Sequence, residues 1–222
     1  MGREFDRRVV PQHVLEIVKR CQQAVPCHFG GGAALSGAYL GHRLSRDIDL
    51  FCHRREDVRV LLRELPEIAR ELSTDIKTLV DAGNFVRAQV RSALEMDIVF
   101  DATPDLEPSP EVEGIVVESL ADLRAAKLTC VLSRSEPRDL VDLLFLDRAG
   151  YPPELDLALA LRKDAGIDPG ILAWLLSSFP VQPLPEMLEP LNEQELRIFR
   201  DELAERLRRL SVPDPRGGPP AP

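Results

Sequence analysis

The sequence predicts an α+β fold, a mixed sheet flanked by helices over residues 1–120, followed by a helical region over 121–210 and a Pro/Gly tail over 211–222. Three observations carry this. The strand-like segments cluster between Asp75 and Phe100 instead of alternating regularly with helices, which argues against a doubly wound parallel sheet. From Ser119 onward the apolar spacing is helical. The last residues are mostly Pro, Gly and polar, a composition that supports no packed core.

Each element has its own signal. A helix over Pro11–Ala24 opens on a proline, suited to a first turn, and aligns Val14, Leu15, Val18 and Cys21. A short strand, Cys27–Gly30, enters the run Gly30-Gly31-Gly32, from which a helix to Leu40 departs. After a polar turn, Asp47-Ile48-Asp49-Leu50-Phe51 alternates with the period of a strand. An amphipathic helix, Glu56–Leu72, should bend or restart at Pro66. Strands are expected at Asp75–Val80, Phe85–Arg91 and Leu94–Phe100, the first two joined by the turn Asp81-Ala82-Gly83-Asn84. Residues Asp101–Pro110 read as a loop. Ser119 and Asp122 form a capping box for a helix to Ser133, and Pro137 starts another that stops before Gly150. Beyond that the chain reads as wholly helical, with starts at Asp168-Pro169 and at Asn192/Glu195. The last helix carries Leu196, Phe199, Leu203, Leu207 and Leu210 as a stripe for packing on its own domain.

Composition narrows the functional classes. With 222 residues, 44% hydrophobic and 29% charged, the chain is an ordinary globular protein with room for one core and a helical appendage. No apolar run reaches the roughly 20 residues of a membrane span. The charged start, Met1–Arg8, precedes no apolar segment, so a cytoplasmic location is expected. Cys21, Cys27, Cys52 and Cys130 lack zinc spacing among themselves or with the four histidines, and are expected to be reduced and mostly buried. A net charge of −9 argues against coating by nucleic acid, yet six arginines stand against four acids between Arg43 and Arg63.

The chemistry concentrates around two segments. Glycines between a strand and a helix let backbone approach an anionic ligand closely. The run at Gly30–Gly32 lacks the Gly-Lys-Ser/Thr of a P-loop, and Leu35 breaks the dinucleotide fingerprint. Downstream, Asp47 and Asp49 sit at i and i+2 of a strand, so both carboxylates leave one face, roughly 6.5 Å apart at the backbone. Adjacent carboxylates repel unless a cation intervenes, and Mg²⁺ takes one or two carboxylates together with substrate phosphates. Asp97, opposite the apolar stripe Leu94, Met96, Ile98 and Phe100, completes a metal set of Asp47, Asp49 and Asp97 if the two strands are neighbours.

These motifs resemble the AbiEii/AbiGii-type family of the DNA polymerase β-like nucleotidyltransferase superfamily. The resemblance rests on Gly31-Gly32-Ala33-Ala34-Leu35, on Arg43-Leu44-Ser45-Arg46-Asp47-Ile48-Asp49-Leu50-Phe51, and on Lys127, Arg134 and Arg138-Asp139-Leu140-Val141-Asp142-Leu143, and covers roughly residues 25–148. It implies a nucleotidyltransferase-like sheet and metal-dependent transfer of a nucleotide to an acceptor hydroxyl, in a toxin-like enzyme. The nucleoside triphosphate is then held at Gly31 and Gly32, with Mg²⁺ or Mn²⁺ on Asp47 and Asp49. Lys127 and Arg134 would meet phosphate charge, and Asp139 and Asp142 would orient Lys127 or the nucleotide. The implied catalytic set is Asp47, Asp49, Asp97, Lys127 and Asp142. An RNA end as acceptor and an antitoxin protein as partner follow from the same resemblance, and Arg43, Arg46, Arg54, Arg55 and Arg59 are the candidates for a basic track along RNA. Where the family carries Ser or Thr after the glycine pair, this chain has Ala33.

Other functions fit some of the residues. A small-molecule nucleotidyltransferase of the antibiotic-modifying kind needs the same site without the arginine track. A glycosyltransferase also uses Asp-x-Asp, but needs neither the glycine turn nor the later Asp-x-x-Asp. Ala33 is the feature that favours a non-catalytic nucleotide-binding or interaction module.

Overall fold

The computed structural model describes residues 4–91 and 94–211. They form two compact units, one of residues up to 123 with 186–189, the other of 124–185 with 190 onward. The first contains α1 (Gln12–Ala24), β1 (His28–Gly30), α2 (Gly31–Ala34), β2 (Asp47–Cys52), α3 (Arg55–Glu71), β3 (Ile76–Asp81), β4 (Phe85–Val90), β5 (Leu94–Phe100), β6 (Glu111–Val112) and β7 (Ile115–Val116). α2 runs directly into a wider, π-helical stretch, Leu35–Leu40. The sheet order is β1-β2-β5-β4-β3; β2 and β5 are parallel and the other pairs antiparallel, so the sheet is mixed, as expected.

Period-two alternation decides which face each residue occupies. Ile48 and Leu50 of β2, Val86, Ala88 and Val90 of β4, and Met96 and Ile98 of β5 are all buried. α1 and α3 pack on the sheet and on each other, bringing Val14, Ile17, Val18 and Cys21 together with Val58, Leu61, Leu65 and Ile68 as core residues. Each such large apolar side chain contributes roughly 1.5–3 kcal/mol on burial. Pro66 lies inside α3 without ending it; the helix runs on to Glu71 because its apolar face stays packed through Ile68. β3 is an exposed edge strand, with Lys77 and a bulge between Thr78 and Val80, both of which discourage pairing with another chain. The β6–β7 hairpin follows the stretch expected as loop; Glu113 and Gly114, at φ 50° and 78°, form the two-residue turn whose twist suits a hairpin.

α4 (Leu120–Ser133) starts at the expected cap, with the Asp122 N–H donating to Ser119 Oγ at 3.1 Å. The second unit continues α4 and adds α5 (Pro137–Arg148), α6 (Leu157–Lys163), α7 (Pro169–Leu176) and α8 (Glu193–Ser211). Two caps are as read from sequence. Asp168 accepts from the Ile171 N–H at 2.9 Å, and Asn192 and Glu195 bond reciprocally at 3.0 Å.

Two expectations are corrected. The chain beyond Gly150 is not wholly helical. Residues 177–192 are irregular because Pro180, Pro183, Pro185 and Pro190 remove donors and block helical neighbours. The α8 stripe buries Leu196, Phe199, Leu203 and Leu207, whereas Leu210 is 55% exposed. Leu210 keeps the direction of the stripe but sits in the last turn of α8, which ends at Ser211, itself exposed and close to Gly170 at the start of α7. Apart from Ser211, the tail expected over 211–222 lies outside the described residues. Among the described residues no helix is long and apolar enough to cross a membrane.

Candidate active site

The carboxylates meet through strand register. In the parallel pair β2–β5, Asp49 stands opposite Asp97 and Asp47 opposite Glu95, so all four acids leave the face turned away from Ile48, Leu50, Met96 and Ile98. On the other side of β2, Gly30 of β1 is the partner of Asp49. The three aspartates singled out in the sequence are therefore neighbours on one half-buried sheet face.

The glycine run presses on that face. Gly31 has φ +66°, and a β-carbon there would come 1.8 Å from Asp49 Oδ2. Only glycine allows backbone so near the carboxylate and in that conformation. A β-carbon on Gly32 would come 2.5 Å from Nη2 of Arg43. The π-helical stretch ends at Gly41, whose N–H donates to the Ser36 carbonyl at 2.7 Å. Ser36 then ties the return chain: its hydroxyl donates to the Arg43 carbonyl at 2.6 Å and accepts from the Arg43 N–H at 3.2 Å. Beside Asp47 lies a cavity of about 160 Å³, lined in part by Arg8, Ala33, Ser45 and Arg46.

Arg87 is the residue that sequence reasoning missed. It is the β4 partner of Asp97, and its guanidinium donates to both oxygens of that carboxylate, at 2.8 and 2.7 Å, with Glu95 at 3.3 Å. The signal was present: Arg87 alternates with the apolar Val86 and Ala88, so it had to share a face with Asp97 once the strands paired. Register, which sequence does not print, was the missing piece. The Asp97 hydrogen bond holds Arg87 well above the usual arginine range.

The arginines are less uniform than expected. Arg43 is buried, at 2% exposure, with Nη1 donating to the Leu44 carbonyl at 3.0 Å, so it supports the glycine loop and does not line an open track. Arg46 and Arg54 are exposed, Arg55 lies over the Phe100 ring at 5.0 Å, and Arg59 pairs with Asp81.

In the helical unit, Lys127, Asp139, Asp142 and Arg134 form one network. Lys127 is 3% exposed; its Nζ lies 3.2 Å from Asp139 Oδ1 and 2.7 Å from Asp142 Oδ2. Arg134, one residue past α4, donates to both oxygens of Asp139 at 2.8 and 2.9 Å. The helical spacing of Asp139 and Asp142 puts both on the face that meets Lys127. Asp139 and Asp142 are themselves fully buried, so the charges neutralise one another out of solvent.

Burial pushes the Asp139 carboxyl up, but the Lys127 ammonium and Arg134 guanidinium outweigh it and hold the group below its ordinary 3.8. A carboxyl lowered on folding stabilises the folded state above its unfolded value, and that contribution is lost as pH falls through the folded value. The wild type should therefore lose more Tm between about pH 5 and about pH 3 than Asp139→Asn does. Equal losses would place the acid-sensitive carboxylate elsewhere.

A second cluster lies farther along the same strands. His28, His53 and Asp105 bring their ligand atoms within 4.8 Å of one another.

The chain matches the family described as nucleotidyl transferase AbiEii toxin, type IV toxin–antitoxin system, over residues 14–219. This is the family that the glycine and Asp-x-Asp motifs resemble. Among solved structures, JHP933 from Helicobacter pylori is 22% identical over 90% of each chain, with a TM-score of 0.57. MenT4, the nucleotidyltransferase toxin Rv2826c from Mycobacterium tuberculosis H37Rv, is 16% identical over 88% of this chain and 83% of its own, with a TM-score of 0.58. These identities speak to the fold. No curated protein sequence matches the chain.

Proposed function

Since the chain belongs to the AbiEii nucleotidyl transferase toxin family and is thus a nucleotidyltransferase, we propose that it moves a nucleotide from a nucleoside triphosphate to an acceptor hydroxyl, with Asp47 and Asp49 holding a divalent cation. The observation that carries this reading is the contact of the glycine run with Asp49, itself the register partner of Asp97. Backbone fit for a phosphate thereby stands beside carboxylates fit for a cation.

The residues present fit Mg²⁺ or Mn²⁺, being hard oxygen donors gathered on one face. A bound divalent ion would supply positive charge to the attacking and leaving oxygens. Gly31 and Gly32 bring backbone N–H groups to the triphosphate. Asp97 has each oxygen engaged once by Arg87, which leaves further lone pairs for the cation or for the acceptor's proton. Arg87 acts as a positioning residue for that carboxylate. The acceptor oxygen bonds to the α-phosphorus as the bond to pyrophosphate breaks, and the hydroxyl proton leaves to a base on this face.

Within the helical unit we assign Lys127 and Asp142 a supporting part, because both are buried, and give the outward-facing charge to Arg134, whose side chain is 39% exposed. The type IV toxin–antitoxin setting of the family implies an antitoxin protein as partner. Buried thiols at Cys21, Cys27 and Cys52 suit a reducing cytoplasm.

We favour an RNA acceptor, held by Arg54, Arg55 and Arg59 at the start of α3. The test uses pure protein, Mg²⁺, each labelled triphosphate and total RNA, across a salt series. RNA binding should fall with salt at a log–log slope of roughly −0.7 per phosphate contact, and neutralising the three arginines together should flatten it without changing triphosphate affinity. Activity insensitive to salt, with no RNA labelled, would favour a small-molecule acceptor instead.

A further inference from the structure

The geometry points to a second metal site, made by His28, His53 and Asp105, which takes a zinc-class divalent ion and not magnesium. It is independent of the proposed reaction. His28 lies on β1 opposite Phe51, His53 follows the end of β2, and Asp105 comes from the loop between β5 and β6. His53 is four residues beyond Asp49, roughly 13 Å of extended chain, so this cluster is separate from the aspartates.

Three features build the site. The first is convergence: Asp105 Oδ1 lies 3.2 Å from His53 Nε2 and 3.6 Å from His28 Nδ1. Donor atoms around a tetrahedral zinc, at bond lengths of about 2.0–2.2 Å, stand roughly 3.3–3.5 Å apart, so two edges of the polyhedron are already set.

The second is the tautomer of His53. Its Nδ1 lies 3.1 Å from the Asp101 carbonyl, an acceptor only, so Nδ1 carries the hydrogen. In the neutral ring Nε2 then turns a lone pair toward the Asp105 carboxylate. Two acceptors at that distance repel unless a proton or a cation lies between them. A carbonyl fixing one imidazole nitrogen while the other faces the ion is the usual outer support of a metal-bound histidine.

The third is ligand chemistry. Two imidazoles and one carboxylate select zinc and its neighbours over magnesium, which prefers oxygen alone. Ser109 Oγ, 3.3 Å from His28 Nδ1, adds a further oxygen at the cluster. The ion would fasten the loop carrying Asp101 and Asp105 to the ends of β1 and β2. Local spacing rules miss this site because its ligands are drawn from three distant segments.

Co²⁺ titration of the full chain, followed by visible absorption in a large excess of Mg²⁺, tests the proposal. Wild type should bind one equivalent with the bands of a four- or five-coordinate nitrogen/oxygen site and no sulfur charge-transfer band. His53→Gln and Asp105→Asn, both at partly exposed positions, should each weaken binding at least tenfold while retaining the wild-type circular dichroism. Asp49→Asn should bind Co²⁺ as the wild type does, which separates this site from the aspartates. No Co²⁺ binding by wild type would reduce the cluster to a His–Asp pair sharing a proton. Thiolate bands, or unchanged binding in both His53→Gln and Asp105→Asn, would equally overturn it.

Discussion

Replacing Lys127 with alanine is expected to cost the folded protein about 3–5 kcal/mol, the range for removing one partner of a buried ion pair. The magnitude follows from burial. Asp139 and Asp142 are both fully buried, and the ammonium lies within 3.2 Å of each. Arg134 still pairs with Asp139 in the variant, and Asp142 loses the ammonium at 2.7 Å. Urea unfolding would measure the loss. The double variant Lys127→Met/Asp142→Leu should recover most of it, because a buried pair exchanged for apolar groups is often neutral. A loss below about 1 kcal/mol in the single variant would show that solvent reaches the network.

Gly31→Ala should damage both fold and activity. A non-glycine residue in the left-handed region costs roughly 1–2 kcal/mol, and Gly31 lies at φ +66°. The added carbon would also fall 1.8 Å from Asp49 Oδ2, so either the loop or the carboxylate must move. A displacement of about 1 Å at a reacting centre is enough for a loss near 100-fold. Turnover should drop by at least that factor in protein that remains folded. Wild-type turnover in Gly31→Ala would mean that the glycine run and Asp49 are not held together during the reaction.

Much of this was legible because it depends on local periodicity. Asp47 and Asp49 alternate with Ile48 and Leu50, and Asp97 alternates with Met96 and Ile98, so their common direction could be read before their pairing was known. Caps were equally legible: Ser119, Asp168 and Asn192 are the short polar side chains that an unfinished helix end requires. The features that escaped depend on which strand or helix lies beside which. Arg87 reaches Asp97 only through the β4–β5 register, and Arg43 is buried where the glycine loop approaches its guanidinium and Met187 bridges its backbone. Lys127 illustrates the same limit. The resemblance pairs it with Asp139 and Asp142, but its burial shows only once those two carboxylates approach from α5. The β6–β7 hairpin was too short for its alternation to stand out, and residues 177–192 show that proline density outweighs apolar spacing when the two disagree.

The central claim is that Asp47 and Asp49 carry a metal-dependent nucleotidyl transfer. Its most direct test is pyrophosphate release and acceptor labelling by wild type, Asp47→Ala and Asp49→Ala, with and without chelator. Wild type should be active with Mg²⁺ or Mn²⁺ and silent with chelator. Each variant should fall by at least about 10³-fold, equivalent to about 4 kcal/mol of barrier, with stability unchanged or raised because like charges are relieved. Near wild-type turnover in either folded variant, or full activity in chelator, would contradict it.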